Sequence, residues 1–111
     1  MKDIAETIIE FKNVQEKIHD YRNEEVLLVV ECIVFKKDVF ISDSAFYLSN
    51  IDVVSFLERL SNHLKELHIL DNINYLDILK TKMYPIEESV VNGLMYTEGC
   101  KIQFNMRLES V

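Results

Sequence analysis

Histidine and cysteine are the residues of this chain best suited to hold a metal ion or to carry covalent chemistry. The histidines are His19, His63 and His68. His63 and His68 are five residues apart, which is about 140° around a helix, so they do not share a ligand face. We interpret His63 as a residue at the edge of a helix. The spacing of these residues predicts no metal site.

The two cysteines, Cys32 and Cys100, lie far apart in the sequence. A cysteine nucleophile needs a nearby base and an environment that lowers its pKa. Cys32 lies inside the most apolar run, where a thiolate would be desolvated, and Cys100 at the start of a predicted strand is the better reactive candidate. We expect both to be free core thiols in a reducing compartment, and the alternative is a disulfide between adjacent strands.

Carboxylate pairs could support acid–base catalysis, and the chain has two adjacent pairs, Glu24–Glu25 and Glu87–Glu88. Neighbouring side chains of an extended chain point apart, whereas catalysis needs convergent groups in a cleft. We interpret both pairs as solvated surface, with an acidic docking patch as the alternative. Glu31 differs because it interrupts an apolar run. It is expected to be a paired or edge-facing carboxylate, or alternatively to line a groove.

The sequence also has no motif for a serine nucleophile or for a glycine-rich phosphate-binding loop. No Gly-x-Ser-x-Gly motif is present, and Gly93 and Gly99 are the only glycines, too few for a loop that cradles phosphate. We therefore predict that the protein is not an enzyme, with no catalytic residues and no cofactor.

The charge of the chain narrows the choice of partners. The net charge is −7, from 19 acidic and 12 basic residues. Such a surface repels nucleic acid and anionic membranes, and it attracts a basic protein. The amino-terminal "MKDIAETIIE" is too polar for a signal peptide, and the apolar run 26–35 is shorter than the ~20 residues of a membrane helix. A cytoplasmic location is the expectation.

Hydrophobic periodicity predicts two amphipathic helices. Asp3 with Glu6 forms a candidate capping box for the first helix, although a short strand over 8–12 is a weaker alternative. The second helix is expected over 49–70, capped by Ser49 or Asn50. The apolar stripes are Ile4, Ile8, Phe11, Val14, Ile18 and Tyr21 in the first helix, and Val53, Leu57, Leu60, Leu64 and Leu67 in the second.

Alternating and continuous apolar runs predict the strands. Residues 26–35 indicate a strand covered on both faces, joined through 36–38 to a second strand over 39–48. Residues 70–84 are ambiguous: strand is favoured, and a short helix capped by Asp71 is the alternative. Pro85 and Glu87–Glu88 predict a loop, and a closing hairpin turns at 98–99.

The element order is therefore α-β-β-α-β-β-β. It predicts a single α+β domain over 1–111, with a curved antiparallel sheet of about five strands and two helices packed on one face. The last strand should place Cys100, Ile102, Phe104, Met106 and Leu108 inside, and Lys101, Gln103, Asn105 and Arg107 outside.

The strip "EVLLVVECIVFKKDVFISDSAFYLSNIDVVSFLERLSNHL" resembles the strand–hairpin–helix centre of the WapI-type immunity group. In that group an "LLV-E-x-V" strand precedes a strand ending in "L" and a "D-[LV]-x-x-F-L-x-x-L" helix. These are bacterial immunity proteins of polymorphic and contact-dependent-inhibition toxin systems. The resemblance implies tight, non-catalytic binding to a cognate toxin, often a nuclease with a basic active site.

The expected partner is thus a basic toxin protein, bound through acidic and aromatic surface residues. The candidate contacts are Glu24, Glu25, Asp38, Asp43, Glu87, Glu88, Tyr96 and Glu98. One alternative is a dimeric chaperone, similar to those of type III secretion effectors, that binds an extended segment. Another is a small-ligand or enzymatic α+β domain with a deep pocket.

Overall fold

A computed structural model of the protein describes residues 1–69, 74–97 and 99–111. Six antiparallel strands form one sheet in the order β1-β4-β5-β6-β2-β3. The strands are β1 (Lys2–Asp3), β2 (Val26–Lys36), β3 (Val39–Leu48), β4 (Lys82–Glu87), β5 (Val90–Thr97) and β6 (Cys100–Ser110). The helices are α1 (Ile4–Arg22), α2 (Val53–Glu66) and α3 (Tyr75–Leu79). The predicted α+β class and antiparallel sheet are confirmed, with one short strand and one short helix more than expected.

Helix α1 begins where the sequence predicted. The Asp3 side chain accepts a hydrogen bond from the Glu6 N–H at 2.9 Å, which satisfies one of the free amides of the first turn. Ile4, Ile8 and Phe11 are buried in the core. The burial of the apolar stripe decreases towards the carboxyl end of α1, where Tyr21 is 94% exposed. Its predicted core position is wrong, because the packing of α1 on the sheet is concentrated in the first half of the helix.

Helix α2 begins later than predicted. Asp52 is the N-cap, with its carboxylate accepting from the Ser55 N–H at 2.8 Å, so the predicted caps Ser49 and Asn50 are wrong. Ile51 and Phe56, one on each side of the first turn, are both buried, as in a hydrophobic staple. Ser49, Asn50 and Asp52 are all good cap residues, and the burial of Ile51 and Phe56 favours Asp52 as the cap.

The buried face of α2 is also rotated from the predicted stripe. Leu60 and Leu64 are fully buried as expected, together with Phe56. Val53 and Leu57 are only partly buried against the core.

The hairpin of β2 and β3 turns through Lys37 and Asp38, which have φ angles of 50° and 63°. Positive φ at both central residues is the geometry that suits the twist of a two-residue hairpin. Lys36 pairs with Val39, so it belongs to β2 and not to the turn. β2 is an interior strand that pairs with β3 over Leu28–Lys36 and with β6 over Val26–Lys36. The predicted cover on both faces is only partial, because the helices pack on one face and Leu27, Ile33 and Phe35 on the other face are half-buried.

In the segment 70–84, for which the prediction was ambiguous, helix α3 precedes strand β4. Asn74 caps α3 by accepting from the Leu76 N–H at 3.0 Å, and Ile78 is buried. The favoured strand is therefore wrong over 75–79, and β4 begins only at Lys82. The alternative cap Asp71 lies outside the described residues.

The predicted loop at Pro85 is also wrong. Pro85 lies within β4, and the turn to β5 falls at Glu88 and Ser89. Because β1 pairs only with Lys82 and Met83, the rest of β4 is a sheet edge, and proline is tolerated at edges. In the last hairpin Gly99 has the positive φ expected of the turn, at 78°, and Glu98 lies outside the described residues.

The two faces of the sheet differ. The inner face packs against the helices, and its rows from β5 to β3 are Met95–Ile102–Val34–Ser42, Gly93–Phe104–Cys32–Ser44 and Val91–Met106–Val30–Phe46. The alternation predicted for β6 is confirmed: Ile102, Phe104 and Met106 are fully buried. Of the helices in the described part of the chain, none is long and apolar enough to cross a membrane.

Candidate functional site

The outer face of the sheet is the surface opposite the helices. Its rows from β5 to β3 are Tyr96–Lys101–Phe35–Phe40, Leu94–Gln103–Ile33–Asp43, Asn92–Asn105–Glu31–Ala45 and Val90–Arg107–Val29–Tyr47. Across the described ranges, no helix packs on this face. It therefore presents an array of side chains held in fixed register by the strands beneath.

Large side chains stand out from this face. Tyr47 is 57% exposed and Tyr96 is 71% exposed, and Leu94 and Tyr84 are also exposed. Tyrosine is enriched at protein interfaces, because its ring is apolar and rigid while its hydroxyl group stays hydrated. The outer face thus has the composition of a protein-binding surface.

One end of the outer face is aromatic. Phe35 and Phe40 meet edge to face with ring centroids 6.1 Å apart, and the Lys101 ammonium group lies 4.5 Å from the Phe35 centroid. Tyr96 completes this row on the neighbouring strand. A cation held over an aromatic ring is attracted by the charge distribution of the ring, which fixes Lys101 in place.

A carboxyl pair lies near the β3 edge of the face, on β2 and β3. Glu31 accepts a hydrogen bond from Asn105 Nδ2 at 2.7 Å and approaches Asp43 on the next strand. The pKa of Glu31 is lowered, chiefly by the hydrogen bond from Asn105. The pKa of Asp43 is raised, chiefly by its hydrogen bond with Glu31 and also by desolvation and the charge of Glu31.

Sequence reasoning singled out Glu31 and Asp43 separately but did not bring them together. They lie twelve positions apart in the chain, and they become neighbours because Ile33 pairs with Asp43 and Glu31 with Ala45. Glu31 was expected to be a paired or edge-facing carboxylate, and the structure places it half-buried on the outer face with a hydrogen bond from Asn105.

The other predicted contact residues divide between the two ends of the sheet. Because β2 begins at the end where β4 finishes, Glu24 and Glu25 lie at the same end as Glu87 and Glu88. Asp38 lies at the opposite end, in the β2–β3 turn, near Tyr96 at the end of β5. The structure brings these residues to two separate regions rather than to one patch.

A groove at the end of the sheet that carries Glu87 and Glu88 was not predicted from the sequence. It lies between α1 and the β4–β5 hairpin, with a volume of about 420 Å³. Phe11, Val14 and Val91 contribute apolar walls, and Glu87 and Glu88 lie at its rim. The groove forms only when α1 crosses these strands, so no local pattern in the sequence reports it.

A serine–histidine pair lies under α2. Ser44 Oγ and His63 Nε2 are 2.7 Å apart, within the range for a nucleophile and its base. However, His63 is only 8% exposed, and its ring lies 5.2 Å from that of Phe46. The prediction of a helix-edge residue is wrong, since His63 packs in the core. We interpret the pair as a hydrogen bond that satisfies a buried histidine.

The cysteines are buried and free, as predicted. Burial raises the pKa of Cys32 to about 12, so its thiol stays protonated. On β6, Cys100 pairs with Lys36, whereas Cys32 pairs with Phe104 four positions further along, and this separation excludes the alternative disulfide. Within the described residues, no group of three or more histidine, cysteine, aspartate or glutamate side chains could hold a metal ion.

Comparisons with known proteins find no significant match to a family model, to a curated protein or to a solved structure.

Proposed function

We propose that this protein is an immunity protein that binds and neutralises a cognate bacterial toxin, in a polymorphic or contact-dependent growth inhibition system. The binding is stoichiometric and non-catalytic. The observation that carries the proposal is the uncovered outer face, with exposed tyrosines around the Glu31–Asp43 pair.

The size of this face supports protein binding. β2 and β6 are each 11 residues long. β3, β5 and β4 are shorter, at 10, 8 and 6 residues. With strands ~4.8 Å apart and ~3.3 Å per residue, the face covers roughly 700 Å², close to the ~800 Å² that each partner buries in an interface of standard size.

The charge of the chain supports a basic partner. A net charge of −7 steers a basic protein towards the molecule, and this is the sign needed to block a nuclease active site that binds phosphate. On the outer face Glu31 and Asp43 place two carboxyl groups near β3, and Arg107 on β6 is paired with Glu109 at 2.7 Å.

The predicted contacts take different places in this proposal. Asp43 and Tyr96 belong to the outer face itself. Glu24, Glu25, Glu87 and Glu88 form an acidic end that extends the attractive field, and Asp38 extends it at the opposite end.

The test is co-expression with the product of the adjoining reading frame. We expect a 1:1 complex on gel filtration and restored growth of cells that make the partner. A partner that remains toxic and elutes separately would overturn the proposal. Light scattering of the purified protein separates the chaperone alternative, which requires an obligate dimer.

A further inference from the structure

Strand β3 forms one edge of the sheet, beside β2 alone. It is 10 residues long, and in an antiparallel strand every second residue directs its N–H and C=O groups away from its paired neighbour. Within the described ranges, no segment pairs with this outer side of β3. The edge therefore offers a row of backbone donors and acceptors.

This edge has few of the features that keep sheet edges from pairing. Its sequence, "VFISDSAFYL", contains one charged residue, Asp43, and no lysine or proline. Val39, Phe40, Ile41 and Tyr47 are exposed. The opposite side of the sheet differs: β1 pairs with the start of β4, and Pro85 interrupts the rest of that strand. The pairing of β2 with β3 shifts its register only between Val34 and Phe35, so most of β3 is a regular strand.

The carboxyl group of Asp43, near the centre of β3, determines which kind of strand can add to this edge. If a second copy added antiparallel about the centre of the strand, Asp43 would lie directly or diagonally opposite the Asp43 of that copy. Both Glu31 side chains would be close by. Like charges placed opposite each other in a sheet are destabilising. A strand with a lysine or arginine at that position would meet the pair favourably.

Space for the side chains of an added strand exists on the inner side of this edge. A groove of about 300 Å³ lies between the end of β3 and α2. It is lined by Tyr47 and Leu48 on one side and by Glu58, Arg59 and Asn62 on the other. Side chains of an added strand that point towards the helices would enter this groove, and those that point the other way would lie beside Glu31 and Asp43.

We propose that β3 accepts an extended segment of a basic partner protein as an additional strand of the sheet, with a lysine or arginine of that segment against Glu31 and Asp43. This inference rests on the proposed function for the identity of the partner. Main-chain hydrogen bonds supply affinity in such strand addition, and the side chains supply specificity.

The first test reverses the charge at the edge. Asp43→Lys is compared with Asp20→Lys, which makes the same charge change at an exposed position on α1. The probe is the purified product of the adjoining reading frame, titrated calorimetrically. We expect Asp43→Lys to weaken binding roughly 100-fold and Asp20→Lys to weaken it by less than about fivefold. Equal affinities for the two variants would overturn the inference while leaving the proposed function intact.

The second test does not depend on the toxin. A short synthetic peptide that alternates threonine and valine and has lysine at its centre is titrated into the protein, with a central glutamate in the matched control. Amide chemical shifts should change along Val39–Leu48 and at Arg59, with at least about tenfold weaker binding of the glutamate peptide. Equal binding of the two peptides, or shift changes confined to the acidic end, would contradict strand addition at β3. Concentration-dependent protection of β3 without peptide would show that a second copy occupies the edge, and would also overturn it.

Discussion

Phe46 and Tyr47 are neighbours on β3, and they show how differently the two faces of the sheet are used. Phe46, on the inner face, is 1% exposed and packs near Phe56 and His63. Tyr47, on the outer face, is mostly exposed. The inner face is densely packed, whereas the outer face leaves large side chains exposed to solvent. In the proposed function, stability and binding are therefore assigned to opposite faces of the same strands.

The largest expected effect is on the inner face. Phe46→Ala removes a fully buried ring and leaves a cavity under α2, so we expect the free energy of unfolding to fall by about 3–5 kcal/mol. Urea denaturation measures it. A loss below about 1 kcal/mol would mean that the inner face near β3 is loosely packed, and the contrast between the faces would weaken.

Overpacking the inner face should have the next largest effect. A Cβ at Gly93 would collide with Met83 Sδ and would lie 2.8 Å from the Lys82 carbonyl oxygen. Because the carbonyl is backbone and cannot turn aside, Gly93→Ala should lower the free energy of unfolding by about 1–3 kcal/mol. Asn92→Ala, on the neighbouring outer-face position, is the control and should change it by about 0.5 kcal/mol or less. Similar losses in both variants would contradict the assignment of faces.

A smaller effect on stability is expected from removing the cap of α2, a helix that packs on the inner face. Asp52→Ala removes the cap and should lower the free energy of unfolding by about 1 kcal/mol. Ser49→Ala is the control, since Ser49 was predicted as a cap but lies outside the helix. Thermal unfolding of both variants decides between the two residues, and a larger loss for Ser49→Ala would contradict the observed cap.

The smallest expected effect is a pH dependence of the inner face. The pKa of His63 is lowered, chiefly by burial and also by the charge of Arg59. The unfolded chain therefore binds a proton more readily, so stability is complete above a pH of about 6.5 and falls as the pH drops below it. Denaturation between pH of about 7 and 5 should show a steeper loss in the wild type than in His63→Gln. Identical pH dependence in the two proteins would contradict this.

Features that depend on local patterns were predicted from the sequence. The Asp3 cap, the 39–48 strand and the alternation of β6 follow from neighbouring residues alone. The cap of α2 was misplaced because Ser49, Asn50 and Asp52 are all good caps, and burial of Ile51 makes the choice. A strand was favoured over the alternative short helix at α3 because Ile78 is the only buried residue of α3, which is too little for a periodic signal.

The candidate site depends on register and strand order, which local patterns do not report. Glu31, Asp43 and Asn105 come from three strands, and shifting one strand by a single residue would send its side chain to the other face. The acidic residues were found by type, but their division between the two ends of the sheet follows from the order of the strands. The groove beside α1 requires the packing of a helix across two strands.

The most direct test of the account is Tyr47→Ala, measured for both stability and binding to the product of the adjoining reading frame. Because Tyr47 stands on the outer face beside the proposed docking edge, we predict that the dissociation constant rises about tenfold or more. The free energy of unfolding should change by no more than about 1 kcal/mol. A folded Tyr47→Ala variant that binds the partner as tightly as the wild type would contradict the claim that the outer face carries binding.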